Sequence, residues 1–395
     1  MRIAIVTYRE LNPLIGGVER ISYDLATKWK DQGHEVVAVC LRRDGQVEHL
    51  ADFPEYYLPQ PDCLSDTCNA RYVEEVLIRE KVDILLNQVI VEPKFARICC
   101  DAARSVKVKI VSCMHYDIYQ HVKDVENSFF IPEKNGACLK KWGMDLMLWL
   151  RFHLYRKRQL IYEAESVVKQ AAAQSDALVF LADASVKQCE QWIESGKSYY
   201  IPNGIDIKTQ NADAIPKKKQ VIYVGRLEYG AKRVDRFIRI WASLEKKHSD
   251  WSALIVGDGG VREKLELLSQ RLGCERLTFE GFQSPESYYR EASILCLTSS
   301  SEGFGMVLVE SMQYGCIPVL FDSFPAASEI VDDSVNGCLV KPFNKKDFAH
   351  KLSMLMGKEE ERERIAIAAK SKALQYDINP ISQKWMELFA AVLNN

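Results

Sequence analysis

The sequence has no surplus of either charge: 52 lysines and arginines stand against 54 aspartates and glutamates, giving a net charge of −2. No global field recruits nucleic acid, so any basic surface must be local. The opening stretch "MRIAIVTYRE" has only a short apolar core between Arg2 and Thr7, too short for a signal peptide, and reads as a first strand. The twelve cysteines show no metal-finger spacing; Cys63 and Cys68 lie five apart and Cys99 and Cys100 are adjacent. With no export signal, reduced thiols and a cytoplasmic location are expected. Internal repeats and low-complexity tracts are also missing. No G-x-G-x-x-G follows the first strand, which argues against a nicotinamide-dependent dehydrogenase. Gly196-Lys197-Ser198 looks like the end of a P-loop, but Gln191 stands where its first glycine is required.

What is present is an alternation. Short runs rich in valine and isoleucine are separated by longer amphipathic stretches, the pattern of parallel strands buried on both faces. Strands are predicted at Arg2–Thr7, Glu35–Leu41, Asp83–Gln88, Lys109–Met114, Ala177–Leu181 and Ser198–Pro202. A second series falls at Gln220–Gly225, Ser252–Val256, Leu277–Glu280, Ile294–Leu297, Ile317–Phe321 and Gly337–Val340. A chain of 395 residues suits about two domains, so the fold class is α/β, with two Rossmann-like doubly wound domains facing a cleft. The break is expected near "DIKTQNADAIPKKKQ", residues 206 to 220. The first domain then spans 1–205, with the C-terminal helix 379–395 packing back on it, and the second spans 206–378.

Several loops between strand and helix could carry chemistry. In "SSSEGFGMVLVESMQYG", residues 299 to 315, Glu302 and Glu310 flank a Gly303-Phe304-Gly305 turn at the head of an apolar helix. Amides at a helix N-terminus attract anions, whereas glutamates beside them suit sugar hydroxyls. Gly16 and Gly17 follow the first strand and serve equally as a plain turn or a binding loop. Arg226 and Lys232 leave the strand ending at Gly225 and could neutralise a diphosphate, or simply meet solvent. Gly257-Asp258-Gly259 reads either as a structural turn or as a close approach to a base or phosphate. His115 emerges where a strand ends and could hydrogen-bond a substrate hydroxyl, or be a satisfied structural residue.

In this order, Gly16-Gly17-Val18-Glu19, His115, "IPNGID" at 201 to 206, Gly225-Arg226 with Lys232, "GDG" at 257 to 259, and the E-x7-E element from Glu302 to Glu310 span nearly the whole chain. The set resembles the family-four retaining glycosyltransferases of the GT-B fold. That resemblance implies a nucleotide-sugar donor, with a UDP-sugar favoured on family frequency, held by the second domain. It implies an acceptor, a glycan or a lipid-linked sugar, received by the first. Arg226 and Lys232 would hold the diphosphate, and Glu310 the ribose hydroxyls. Glu302 with the amides of Gly303, Phe304 and Gly305 would hold the donor sugar and its phosphate. Phe282 would border the nucleobase, unless it is a packed aromatic. No metal or other cofactor is expected, and Asp332-Asp333 reads as a surface turn. A sugar-binding protein without chemistry is the alternative class.

One segment is locally basic. "CLKKWGMDLMLWLRFHLYRKRQ", residues 138 to 159, carries six lysines or arginines against one aspartate, with Leu146, Trp149, Leu150, His153 and Leu154 at helical spacing. It is too short and charged to span a bilayer. It suits either peripheral contact with an anionic membrane surface or a helix packed on the first sheet.

Overall fold

The computed structural model describes residues 1–43, 50–64, 67–90, 92–129, 139–207 and 216–394. The chain forms two compact units. The first comprises Met1–His115, Glu163–Asp206 and Tyr376–Asn395; the second comprises Tyr116–Tyr162 and Ile207–Gln375.

In the first unit seven strands make one parallel sheet: β1 (Arg2–Thr7), β2 (Glu35–Cys40), β3 (Glu55–Tyr57), β4 (Ile84–Asn87), β5 (Lys109–Met114), β6 (Ala177–Phe180) and β7 (Ser198–Tyr200), in the order β3-β2-β1-β4-β5-β6-β7. β1 pairs with β2 on one side and β4 on the other, and Ile3 to Val6 are wholly buried, as a strand covered on both faces requires. The predicted strands all occur, within a residue or two at each end. β3 was not anticipated. It is an edge strand of three residues that pairs Glu55 with Ala38, and an edge needs no apolar run. The C-terminal helix Ile378–Asn394 packs Trp385 and Phe389 edge-on against Trp29, with ring centroids 6.5 and 5.4 Å apart. Its start is stitched to Ile205, whose N–H donates to Tyr376 O and whose carbonyl accepts from Ile378 N–H.

The second unit holds six parallel strands: β8 (Lys218–Val224), β9 (Ser252–Val256), β10 (Leu277–Gly281), β11 (Ala292–Leu297), β12 (Ile317–Phe321) and β13 (Cys338–Val340), in the order β10-β9-β8-β11-β12-β13. The chain runs outward from β8 in one direction and from β11 in the other. The loops after β8 and β11 therefore flank the switch point where open α/β sheets bind ligands.

Residues 116–162 belong to this second unit, whereas the expected first domain ran unbroken to 205. Polar side chains account for the difference. Asn127 accepts from Arg233 Nη1 at its carbonyl (2.8 Å) and from Arg236 Nη2 at Oδ1 (2.9 Å). Lys123 donates to Ser323 O at 2.9 Å. In the basic segment, helix Leu139–Arg151 runs into a π-helical turn, Phe152–Arg156. Phe152 packs with Val122 and Leu160, but Leu146, Leu150 and Leu154 are exposed, as are Met144, Met147 and Leu148. These apolar side chains are thus left uncovered rather than buried in a core. Cys138 and residues 208–215 of the expected linker lie outside the described residues.

Candidate active site

Strand ends β8 and β9 leave their sheet side by side. Gly225 N–H donates to Val256 O, Leu227 N–H to Asp258 O, and Gly257 N–H to Gly281 O (3.0, 2.9 and 2.7 Å). A Cβ on Gly257 would stand 2.0 Å from Gly225 O, and one on Gly259 would stand 2.3 Å from Leu227 O. Main chain packed on main chain therefore requires both glycines, whether or not a ligand approaches. Asp258 accepts from Gly259 N–H (2.7 Å) and Arg262 Nη1 (3.1 Å), and both bonds lower its pKa. Phe282 is 71% exposed, which removes the packed-aromatic reading.

The loop after β8 meets the loop after β11 through Ser300 N–H, which donates to Ala231 O at 2.6 Å. Lys232 and Glu302 come together there, with Nζ 2.7 Å from both carboxylate oxygens. Ser299 Oγ donates to Glu302 Oε1 at 2.7 Å, and Ser323 Oγ donates to Ser299 O at 2.8 Å. This leaves Glu302 nearly buried while Lys232 keeps about a quarter of its surface. Three residues on, Gly305 takes a left-handed φ of 85° and opens helix Met306–Gln313 without a capping side chain. The first-turn amides beside the Lys232–Glu302 pair are thus the kind that bind an anion. Glu310, on this helix, is buried and accepts from Tyr289 hydroxyl at Oε2 (3.1 Å).

Arg226 does not join the pair directly. Its side chain is 73% exposed and sits 3.2 Å from Glu228. The buried Tyr223 phenol senses the whole group: its pKa is raised by burial, then by Glu302 and Glu228, with Arg226 opposing. Arg236 sits behind the loop, donating to Thr298 O (3.3 Å) and Ser300 Oγ (3.2 Å), and burial followed by Arg233 brings its pKa to about 9.

Two residues at this site carry no local sequence signal. Ser301 Oγ donates to Asp124 Oδ1 at 2.8 Å, and burial raises the Asp124 pKa against the lowering effect of Ser301 and Gln120. Lys123 pairs with Asp117 besides reaching Ser323. The Ser301–Asp124 and Lys123–Ser323 contacts join positions remote in the chain, so no spacing rule reveals them.

In the first unit, Gly16 precedes helix Gly17–Asp31 in extended conformation, and a Cβ on it would meet Glu19 Oε2 at 2.5 Å. Nothing lies within 4 Å of a Cβ on Gly17. His115 Nε2 donates to Gln88 Oε1 at 2.5 Å, and burial pulls its pKa down to about 4, so the ring is neutral at pH 7.

Residues 15–209 match the family described as Glycosyltransferase Family 4, and residues 206–372 match Glycosyl transferases group 1. Among curated relatives, an α-1,4-N-acetyl-D-galactosaminyltransferase of Campylobacter jejuni, whose name specifies a diphospho-undecaprenol-linked glycan, is 26% identical over 55% of this chain and 61% of its own. A lipopolysaccharide 1,6-galactosyltransferase of Salmonella typhimurium is 31% identical over 40% of this chain and 45% of its own. The chain thus spans about three fifths or less of these relatives. Among solved structures, HepE of Anabaena with UDP and glucose has a TM-score of 0.72 at 20% identity, covering 99% of this chain and 100% of that one. TarM has a TM-score of 0.75 at 13% identity, covering 98% of each.

Proposed function

Because the chain belongs to the family-4-type glycosyltransferases of the GT-B fold, we propose that it transfers a sugar from a nucleotide sugar, a UDP-sugar, to a glycan or lipid-linked acceptor in cell-surface polysaccharide assembly, with retention of anomeric configuration. The observation that carries this reading is the Lys232–Glu302 pair at 2.7 Å beside the Gly305 helix start. A cation and anion-binding amides suit a phosphate, and a carboxylate beside them suits the sugar hydroxyls next to it. The relatives' names, which specify galactosyl and N-acetylgalactosaminyl transfer to lipid-linked or lipopolysaccharide acceptors, support the choice of acceptor.

In the reaction, the bond from the anomeric carbon to the diphosphate oxygen breaks and that oxygen keeps the electron pair. The acceptor hydroxyl forms its new bond on the same face and gives its proton to the departing diphosphate. Lys232, the amides of Gly303, Phe304 and Gly305, and Arg226 stabilise the negative charge that develops. Glu302 orients the sugar and Glu310 the ribose. Gly16, Gly17 and neutral His115 are assigned to the acceptor, and Gly257, Asp258, Gly259 and Phe282 to the border of the nucleotide site. No metal is required in this scheme, so transfer should survive EDTA. We assign the basic 138–159 segment to peripheral contact with the inner face of the membrane.

Donor hydrolysis measured across UDP- and GDP-sugars tests the reading. Turnover with a UDP-sugar, reduced about 100-fold or more in Glu302→Ala and in Lys232→Ala, supports it. Near-normal turnover in both variants would break the assignment.

A further inference from the structure

The second unit carries a groove of about 450 Å³ formed by helix Val234–Leu244 with the turn that follows it and helix Lys345–Gly357, a volume typical of small-molecule sites. Its residues derive from two helical stripes. On the first helix Phe237, Ile240, Trp241 and Leu244 face the core, which leaves Arg239 and Ser243, four apart, on the outer edge, with Lys247 continuing the line. On the second, Phe348, Leu352 and Leu355 are buried, and Lys346, His350 and Ser353 share another face at spacings of four and three. Arg239, Lys247, Lys345, Lys346 and His350 all line the groove, and none of the residues lining it is acidic.

This arrangement opposes what helix electrostatics favour. Lys345 and Lys346 open a helix at its positive end, where acidic residues are the stabilising choice. Asp347 is the acid of that first turn, and it does not line the groove. The pKa of Lys345 is lowered by burial and then by Arg239, with Asp235 opposing, and burial lowers that of Arg239 as well. Lys247 reaches across to Ser353 Oγ at 3.1 Å, where His248 Nε2 also bonds at 2.8 Å, so polar side chains from both sides meet over the groove. Cations gathered on neighbouring elements repel one another, and a bound polyanion offsets that repulsion.

We propose that this groove is an anion site, apart from the Lys232–Glu302 centre, that takes a phosphate-rich ligand: either a soluble diphosphate or the phosphate headgroup of a lipid. The triple variant K247Q/K345Q/K346Q removes three exposed charges and leaves Lys232, Glu302 and both helix cores intact. Calorimetric titration of the full chain with inorganic pyrophosphate is expected to show a second site, beyond the one at Lys232, whose binding weakens with added salt and falls about tenfold or more in the variant, which identifies a soluble ligand. Co-sedimentation with phosphatidylglycerol vesicles, compared with phosphatidylcholine vesicles, that falls in the variant identifies a lipid headgroup. Pyrophosphate affinity and vesicle binding both unchanged in the variant, or absent in the wild-type protein, overturn the proposal.

Discussion

At the scale of single residues, Lys232 and Glu302 neutralise one another in a setting where neither is fully solvated. Removing either partner leaves the other as an uncompensated charge, so each single variant costs both function and stability, while a double variant costs less than their sum. Both residues were legible in the sequence, because strand ends and the E-x7-E spacing mark the two loops. Arg226, expected to hold the diphosphate with Lys232, lies exposed 3.2 Å from Glu228. His115 yields a pH prediction. Its pKa is about 4 in the fold against 6.5 for the ordinary imidazole, so between these values the unfolded chain binds the extra proton more readily. The stability that its neutral form contributes is complete above pH 6.5 and is lost as pH falls toward 4. Denaturant titrations at several pH values should show His115→Gln losing stability less steeply than wild type across that window, by up to about 1.4 kcal/mol per pH unit.

At the scale of elements, buried strands such as β1, β5, β9 and β12 coincide with their predicted bounds. A doubly covered strand is apolar along most of its length, and that is visible in composition. The edge strand β3 carries Glu55 and two tyrosines and leaves no such mark. The basic helix is the element whose sequence left two readings open, and its exposed Leu146, Leu150 and Leu154 beside Arg151, Arg156 and Arg158 favour a membrane surface over a protein core. Phosphatidylglycerol vesicles should sediment the wild-type protein at low salt, and Leu146→Glu/Leu154→Glu should reduce this several-fold. Sedimentation equal to wild type in that variant would reject the assignment.

At the scale of the whole molecule, each unit has a separate core. Phe237, Trp241, Trp251 and Phe348 lie in the second, and Val6, Val39, Leu85 and Phe95 in the first. Scanning calorimetry should therefore resolve two transitions. Trp385→Ala, which strips the packing around Trp29, should lower one by about 3–5 kcal/mol. Gly257→Ala, which forces a Cβ to 2.0 Å from Gly225 O at a φ of +141°, should lower the other by about 3 kcal/mol or more. Equal shifts of a single transition in both variants would contradict this picture. The number of units was legible from length and strand count. The membership of residues 116–162 was not, because it depends on Asn127 meeting Arg233 and Arg236, and contacts at such separation leave no period in the sequence.

The interleaving of the two units bears on how the protein is made. A ribosome translating this chain emits Asn127 long before its arginine partners and Trp29 almost a full length before Trp385. Neither unit can close during synthesis until late segments emerge, and the first must wait for the final helix. A nascent polypeptide halted short of that helix would present the Trp29 face to chaperones and proteases.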